Sequence, residues 1–432
     1  MMLLGKMNQV TLKVSSEDVT GRMGLSWVRH CMKQFGVEKI IDRLSPRESG
    51  SNREIAASRK VMAGAMSLIA GAERIEDIEV LRQDRGLLNS LGWERMISPD
   101  TLREYLQEKR NGGKMRKSNE ALALKAMAAS SEQEFTYDID ATYFDSQKDS
   151  ATYSYQMRKQ YSGLLGFIAE LKVCSTVDFR AGHVQACNGI LNQLRKAIRQ
   201  AKSVSKRIAV VRSDSAGHSN KIFRLCDEEN IRYFISLKKN EAVMAAVGAI
   251  KEGQWQELKS AEVELGRKVW WAETVYVTNE YVAVRMLVLR WTNPDRDLFE
   301  QTPYCYHAIG TNDNAIEPMA WLKKHNLRMS SENENKELKS GFNAAYAPSH
   351  DFNMDRGYFL LNVLAYNMVQ VMKLFYLGAE SKRWTVKTLR YHFIQVCGKI
   401  VRTGRRYFCK IINAPPASFK LFRHCLARLV VV

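Results

Sequence analysis

Three acidic residues stand in surroundings suited to chemistry on phosphate: Asp140, Asp214 and Glu332. Asp140 lies in Phe135-Thr136-Tyr137-Asp138-Ile139-Asp140-Ala141-Thr142-Tyr143. The alternation there predicts a short strand that turns Asp138 and Asp140 to one face. Asp214 ends the run Arg207 to Ser213, which is apolar and largely β-branched, the pattern of a buried central strand. An acid at the carboxyl end of such a strand lies where open α/β sheets form ligand sites. Glu332 belongs to the stretch His325 to Lys339, with Arg328 four residues before it and Lys339 seven after. Seven residues make almost two helical turns, so Glu332 and Lys339 share a face, and Arg328 sits where the chain enters that helix. A carboxylate set beside two cations suits an acid that holds a metal ion next to a phosphate backbone. Each acid alone has an ordinary reading, as a turn residue, an N-cap or half of a solvated charge pair. Two strand-borne acids followed by a helical glutamate are a rarer constellation. Asp138 is the rival of Asp140, and Asp145 and Glu337 read as solvated charges.

The elements that must position these acids are legible in outline. Residues 1–130 read as mainly helical, with apolar stripes over Ile55 to Ile69 and Leu81 to Leu91. Ser98-Pro99-Asp100 supplies an N-cap, a first-turn proline and a first-turn acid for a helix that could be the second of a helix-turn-helix. Lys109 to Lys117 is basic and contains Gly112 and Gly113, so it reads as a flexible linker able to follow DNA. Strands are expected at 135–143, 166–175, 207–213 and 231–237, with helices near 182–201 and 218–229. Gly253 to Ile309 alternates like β structure, notably Lys268 to Val277 and Tyr281 to Trp291. A helix from Ala315 to His325 would lead into the Glu332 helix, for which Ser331 and Glu334 make a capping box, with Ser330 as a competing cap. Tyr358 to Leu377 is apolar but interrupted by Asn362, Asn367, Gln370 and Lys373, so it reads as a buried helix and not a membrane span.

Charge narrows the partner. The chain of 432 residues carries a net charge of +19, which favours a polyanion. From Ser381 to Val432 there are twelve Lys or Arg residues and no acid, interleaved with aromatics. A segment that packs and also carries this charge is explained most simply by phosphate contacts. The eight cysteines show no C-x-x-C pair and no zinc spacing, which indicates reduced core thiols and a cytosolic protein. The N-terminus shows Lys6 and no hydrophobic region followed by a cleavage site.

Taken together, Asp140, Asp214 and Glu332 with Arg328 and Lys339 resemble the DDE transposases of bacterial insertion sequences, in the group with a Tyr-Arg-Glu-Lys signature. The three spacings of that signature are kept at 325, 328, 332 and 339, with His325 in place of the tyrosine. Asp140-Ala141-Thr142 and Arg212-Ser213-Asp214-Ser215 resemble that group's surroundings for its first and second acids. The resemblance covers roughly residues 130 to 375. It implies an α/β fold with an RNase H-like mixed-sheet core and a β-rich insertion, preceded by a helical DNA-binding region and followed by a basic helical region. The expected bounds are 1–130 for terminal-repeat recognition, 131–240 and 313–378 for the core, 241–312 for the insertion and 379–432 for the basic region. The resemblance also implies two Mg²⁺ or Mn²⁺ ions held by Asp140, Asp214 and Glu332, which suits hard oxygen ligands. Arg328, Lys339, Lys336 and His325 become DNA contacts, and Trp291, by its position in the insertion, the candidate to support a flipped base. The implied partners are terminal inverted repeats, target DNA and a second copy of the chain assembled on DNA, in the bacterial cytoplasm at the nucleoid, with no membrane. A binding protein that has lost catalysis, and a nuclease of the same fold without strand transfer, are the alternatives.

Overall fold

The computed structural model describes residues 17–47, 54–259, 268–293 and 303–430. Lys6 and parts of the expected β region, 260–267 and 294–302, lie outside the described residues.

Helices α1 (Met23–Gln34), α2 (Val37–Leu44), α3 (Ala57–Ala70), α4 (Ile78–Arg82), α5 (Arg85–Leu91), α6 (Pro99–Gln107) and α7 (Lys109–Ala129) precede the first strand. The Ser98 hydroxyl caps α6 by accepting from the Thr101 N–H, and Pro99 opens it, as the sequence predicts. The expected linker is instead the first two turns of α7. Tertiary packing overrides its glycines: at Gly112 an added Cβ would stand 3.3 Å from the Arg356 side chain, so glycine lets two helices approach there.

Ten strands form one mixed sheet. These are β1 (Glu134–Asp145), β2 (Thr152–Tyr153), β3 (Lys159–Ile168), β4 (Val173–Ala181), β5 (Arg207–Ser213), β6 (Arg232–Ser236), β7 (Gln256–Glu257), β8 (Trp270–Val277), β9 (Ala283–Thr292) and β10 (Tyr304–Thr311). Their order is β2-β3-β1-β5-β6-β10-β9-β8-β7, with β4 also paired to β3. Antiparallel β4, β3 and β1 followed by parallel β5 and β6 give an RNase H-like core. The segment 166–175, expected as one strand, holds the end of β3, a turn at 169–172 and the start of β4. Strands β8 to β10 continue the same sheet, joined to it where Ile309 and Gly310 of β10 pair with Ser236 and Ile235 of β6.

Between and after the strands come α8 (Ile190–Ser203), α9 (Asn220–Glu228), α10 (Glu241–Gly248), α11 (Pro318–Asn326), α12 (Met329–Gly341), α13 (Phe352–Phe375), α14 (Val386–Leu389) and α15 (Pro416–Val430). The basic C-terminal region is not wholly helical: β11 (Gly398–Thr403) and β12 (Arg406–Ile411) form an exposed hairpin within it.

Helix α13 is long and apolar enough to cross a membrane, but 89% of its most apolar window is buried inside the protein. It packs on α3, α6, α7 and β4. Its interrupting polar residues find partners there. Asn367 accepts from the Cys174 N–H (2.8 Å) and donates to the Cys174 carbonyl (2.9 Å) and to Asn119 of α7 (3.2 Å). A buried amide bonded in this way fixes one helix position on the sheet. One apolar core therefore runs from Leu25 of α1 through the sheet to Cys425 of α15.

Candidate active site

The parallel ladder of β1 and β5 places the acids. Asp138 is level with Arg212 and Ile139 with Ser213, so the next rung brings Asp140 level with Asp214. Side chains two apart share a face, and the two rungs therefore lie on one side of the sheet. The inner rung is closed: Arg212 donates from Nε and Nη2 to the two oxygens of Asp138, both at 2.6 Å, and both side chains are buried. That bidentate pairing uses up Asp138 and leaves Asp140 as the available acid. Arg212 also donates to the Lys324 carbonyl (3.3 Å) at the end of α11, so one guanidinium ties β5, β1 and the helix that leads to Glu332.

The outer rung is open. Asp214 caps the short turn that follows β5, its Oδ1 accepting from the Ala216 N–H at 3.0 Å. Asp140 has no paired cation. Burial, then the neighbouring Asp214, push its carboxyl up to about 6, with Glu332 adding to the rise and Arg328 opposing it. The other two expected acids, Asp214 and Glu332, thus both act on the Asp140 carboxyl.

Helix α12 brings Glu332, Asn335 and Lys339 toward β1 at three- and four-residue spacing. Asn335 donates from Nδ2 to Asp140 Oδ2 (3.2 Å). Lys339 donates to the Tyr143 carbonyl (3.1 Å) and lies 5.1 Å from the Phe144 ring centroid. Burial lowers its pKa, with Asp140 pulling the other way. Glu332 is half exposed and accepts from Arg328 Nη2 at 2.8 Å. Among the described residues no three of His, Cys, Asp and Glu come together as a ready metal-binding group, and Glu332 is paired with Arg328. The oxygen-rich donor set and the raised Asp140 carboxyl nonetheless fit a hard divalent cation, which supplies the missing positive charge.

The remaining expected residues are placed as follows. His325, expected to contact DNA, is buried, sharing a hydrogen bond with the Ser236 hydroxyl at the end of β6 (Nε2 to Oγ, 3.0 Å). Burial lowers its pKa to about 3, so it is a neutral packing residue and not a surface contact. Lys336 is exposed on α12. Trp291 pairs with Cys305, toward the sheet end where β5 and β6 finish. Asp145 accepts from Gln160 (2.6 Å), and Glu337 accepts from the Val386 N–H (2.6 Å). No capping box opens α12: Ser330 and Ser331 lie within the helix, and the Ser331 hydroxyl donates to the Arg328 carbonyl (2.7 Å). Glu334 is buried instead, raised to about 7 chiefly by that burial.

Sequence reasoning missed Asn335, Arg212 as the partner of Asp138, and His218. The His218 Nδ1 accepts from the Lys238 N–H (2.8 Å), so Nε2 carries the proton and donates to Tyr276 Oη (2.6 Å). This ties β8 to the turn that carries Asp214. The offset shared by Asp138–Arg212 and Asp140–Asp214 was the available signal for the closed rung.

A mixed sheet thus carries acids on adjacent parallel strands, with a third acid on a helix packed on β1. The model of the family described as transposase DDE domain group 1 matches residues 3–431, and the chain belongs to that family. Among solved structures, a cryo-EM structure of a piggyBac transposase synaptic complex with hairpin DNA is similar over 85% of this chain and 79% of that one, at 11% identity and a TM-score of 0.46. Among curated proteins none matches the sequence.

Proposed function

We propose that this transposase acts on the ends of its own insertion sequence, cutting DNA at terminal inverted repeats and joining the freed 3′ ends to target DNA. The observation that carries this reading is the ladder of β1 and β5, whose register continues to Asp140 and Asp214, with Asn335 of the Glu332 helix bonded to Asp140. Asp140, Asp214 and Glu332 would hold two Mg²⁺ or Mn²⁺ ions, which supply an activated attacking oxygen and charge stabilisation for the leaving one. Glu332 would exchange Arg328 for a cation, and the freed guanidinium suits a backbone phosphate. Lys339 stays on the Tyr143 carbonyl and fixes α12 across β1 while Lys336 remains exposed to DNA. Trp291, at the same end of the sheet, is the proposed support for an unstacked base. The exposed β11–β12 hairpin and its arginines fit further phosphate contacts. Concerted joining of two ends calls for a dimer assembled on DNA.

Decay to a binding-only protein gains nothing from His325, whose imidazole serves packing. The test is cleavage of a plasmid carrying the DNA that flanks the gene, with Mg²⁺ or Mn²⁺, by wild type and Glu332→Gln. Metal-dependent breaks at inverted repeats and joined products from wild type alone support the proposal. Nicks without joined product assign a nuclease instead, and breaks by both proteins remove Glu332 from the site.

A further inference from the structure

Asn335 has an unmet demand. Its side chain is 6% exposed, and its carbonyl oxygen Oδ1 is buried with no hydrogen-bond partner. Its Nδ2 donates to Asp140 Oδ2. The orientation of the amide follows from chemistry, since an ionised carboxylate only accepts and so must face the NH₂ group. Both heads of the amide sit on one carbon, which leaves the orphan oxygen in the same small volume as Asp140. A buried acceptor without a donor costs about 1–3 kcal/mol, and among the buried polar atoms left without a partner this one belongs to the side chain bonded to Asp140. Asn335 also lies one turn after Glu332 on α12, on the side that faces β1.

A neutral amide oxygen is a common ligand for hard divalent cations. It adds coordination without adding charge to a place where Asp140, Asp214 and Glu332 already repel one another. Resting on the reading of these acids as a metal site, we infer that Asn335 is a fourth oxygen ligand of that site. Its amide nitrogen holds one oxygen of Asp140, and its carbonyl oxygen faces the cation directly or through one water. The amide thereby also fixes which Asp140 oxygen is free for the cation, a role that outer partners of metal ligands commonly fill.

The test is Mn²⁺ binding to the full-length, DNA-free protein, read by electron paramagnetic resonance, with circular dichroism as the check on folding. Asn335→Leu keeps the volume and removes both polar heads, and Asn335→Asp keeps an oxygen ligand. Leucine is expected to weaken Mn²⁺ binding about 10–100-fold, with aspartate retaining it; Asn335→Ala replaces the leucine variant if that one fails to fold. Wild-type affinity in Asn335→Leu overturns the inference, and an aspartate variant as weak as leucine removes the ligand role. Asp140→Asn is the separate control: if it binds Mn²⁺ like wild type, the reading of the acids has failed, whatever Asn335 does.

Discussion

Two neighbouring rungs of the same ladder, on the same face and made by the same two strands, have opposite characters. At Asp138–Arg212 a carboxylate meets a guanidinium in a buried bidentate pair. At Asp140–Asp214 two carboxylates stand abreast with no cation between them, and one is raised to about 6. The inner rung is spent on structure, since its charge is matched and its hydrogen bonds are made. The outer rung carries unmatched negative charge, held in place by its surroundings and available to a ligand. The comparison teaches that position along a strand, and not residue type, decides whether an aspartate braces the fold or binds.

The largest effect that would break this contrast is on activity. Asp140→Asn and Asp214→Asn should each reduce end cleavage to background while cooperative folding and end binding in gel-shift assays are kept. Loss of fold in either would mean the outer rung is structural too. Next comes stability on the inner rung. Arg212→Met strands a buried carboxylate, which should cost about 3–5 kcal/mol in denaturant unfolding; a small loss would show that Asp138 is not held as a charge.

The pH dependence is a finer test. The folded Asp140 carboxyl near 6 lies above the unfolded value of about 3.9. Folding therefore gains from this group below the unfolded pKa, and the gain disappears as pH rises through about 6. In metal-free protein Asp140→Asn should melt about 2–4 °C above wild type at pH 7.5 and level with it at pH 4. Cation binding by wild type should fall as pH drops through about 6, because protonation of the carboxyl competes with it. The smallest expected change is Ser236→Ala, which removes the partner of His325 at the end of β6. It should cost about 1 kcal/mol in unfolding and leave cleavage near wild type.

Much of this contrast was legible in the residues. The alternation in β1 and the β-branched run of β5 gave both strands nearly to their ends, and the three acids and their order followed. The register between β1 and β5 follows from the sequence only once Asp140 and Asp214 are set side by side, and it assigns Arg212 to Asp138. The β3–β4 hairpin was hidden because its turn has no glycine, proline or asparagine; Lys172 takes the positive φ of 53° there. Gly112 and Gly113 read as a linker because a single sequence does not show Arg356 on the facing helix. Asn335 was invisible, since an asparagine in a charged helix looks like any other surface residue until its neighbours are known.

Helix α13 sets a schedule for synthesis. Helices α3, α6 and α7 bury their apolar faces against it, yet it is made some 245 residues after α7 ends. At about 5–20 residues per second the ribosome takes roughly 12–50 s to cover that distance. Throughout that interval the emerging helices can pack on one another, and α7 on β4 once that strand is made, but the faces that meet α13 wait. A chain halted before residue 352 would leave those faces, and the part of β4 that α13 covers, open to aggregation or proteolysis. The bonds of Asn367 to Cys174 and Asn119, which seat α13 on the sheet, therefore form only after both the strands and the N-terminal helices have been made.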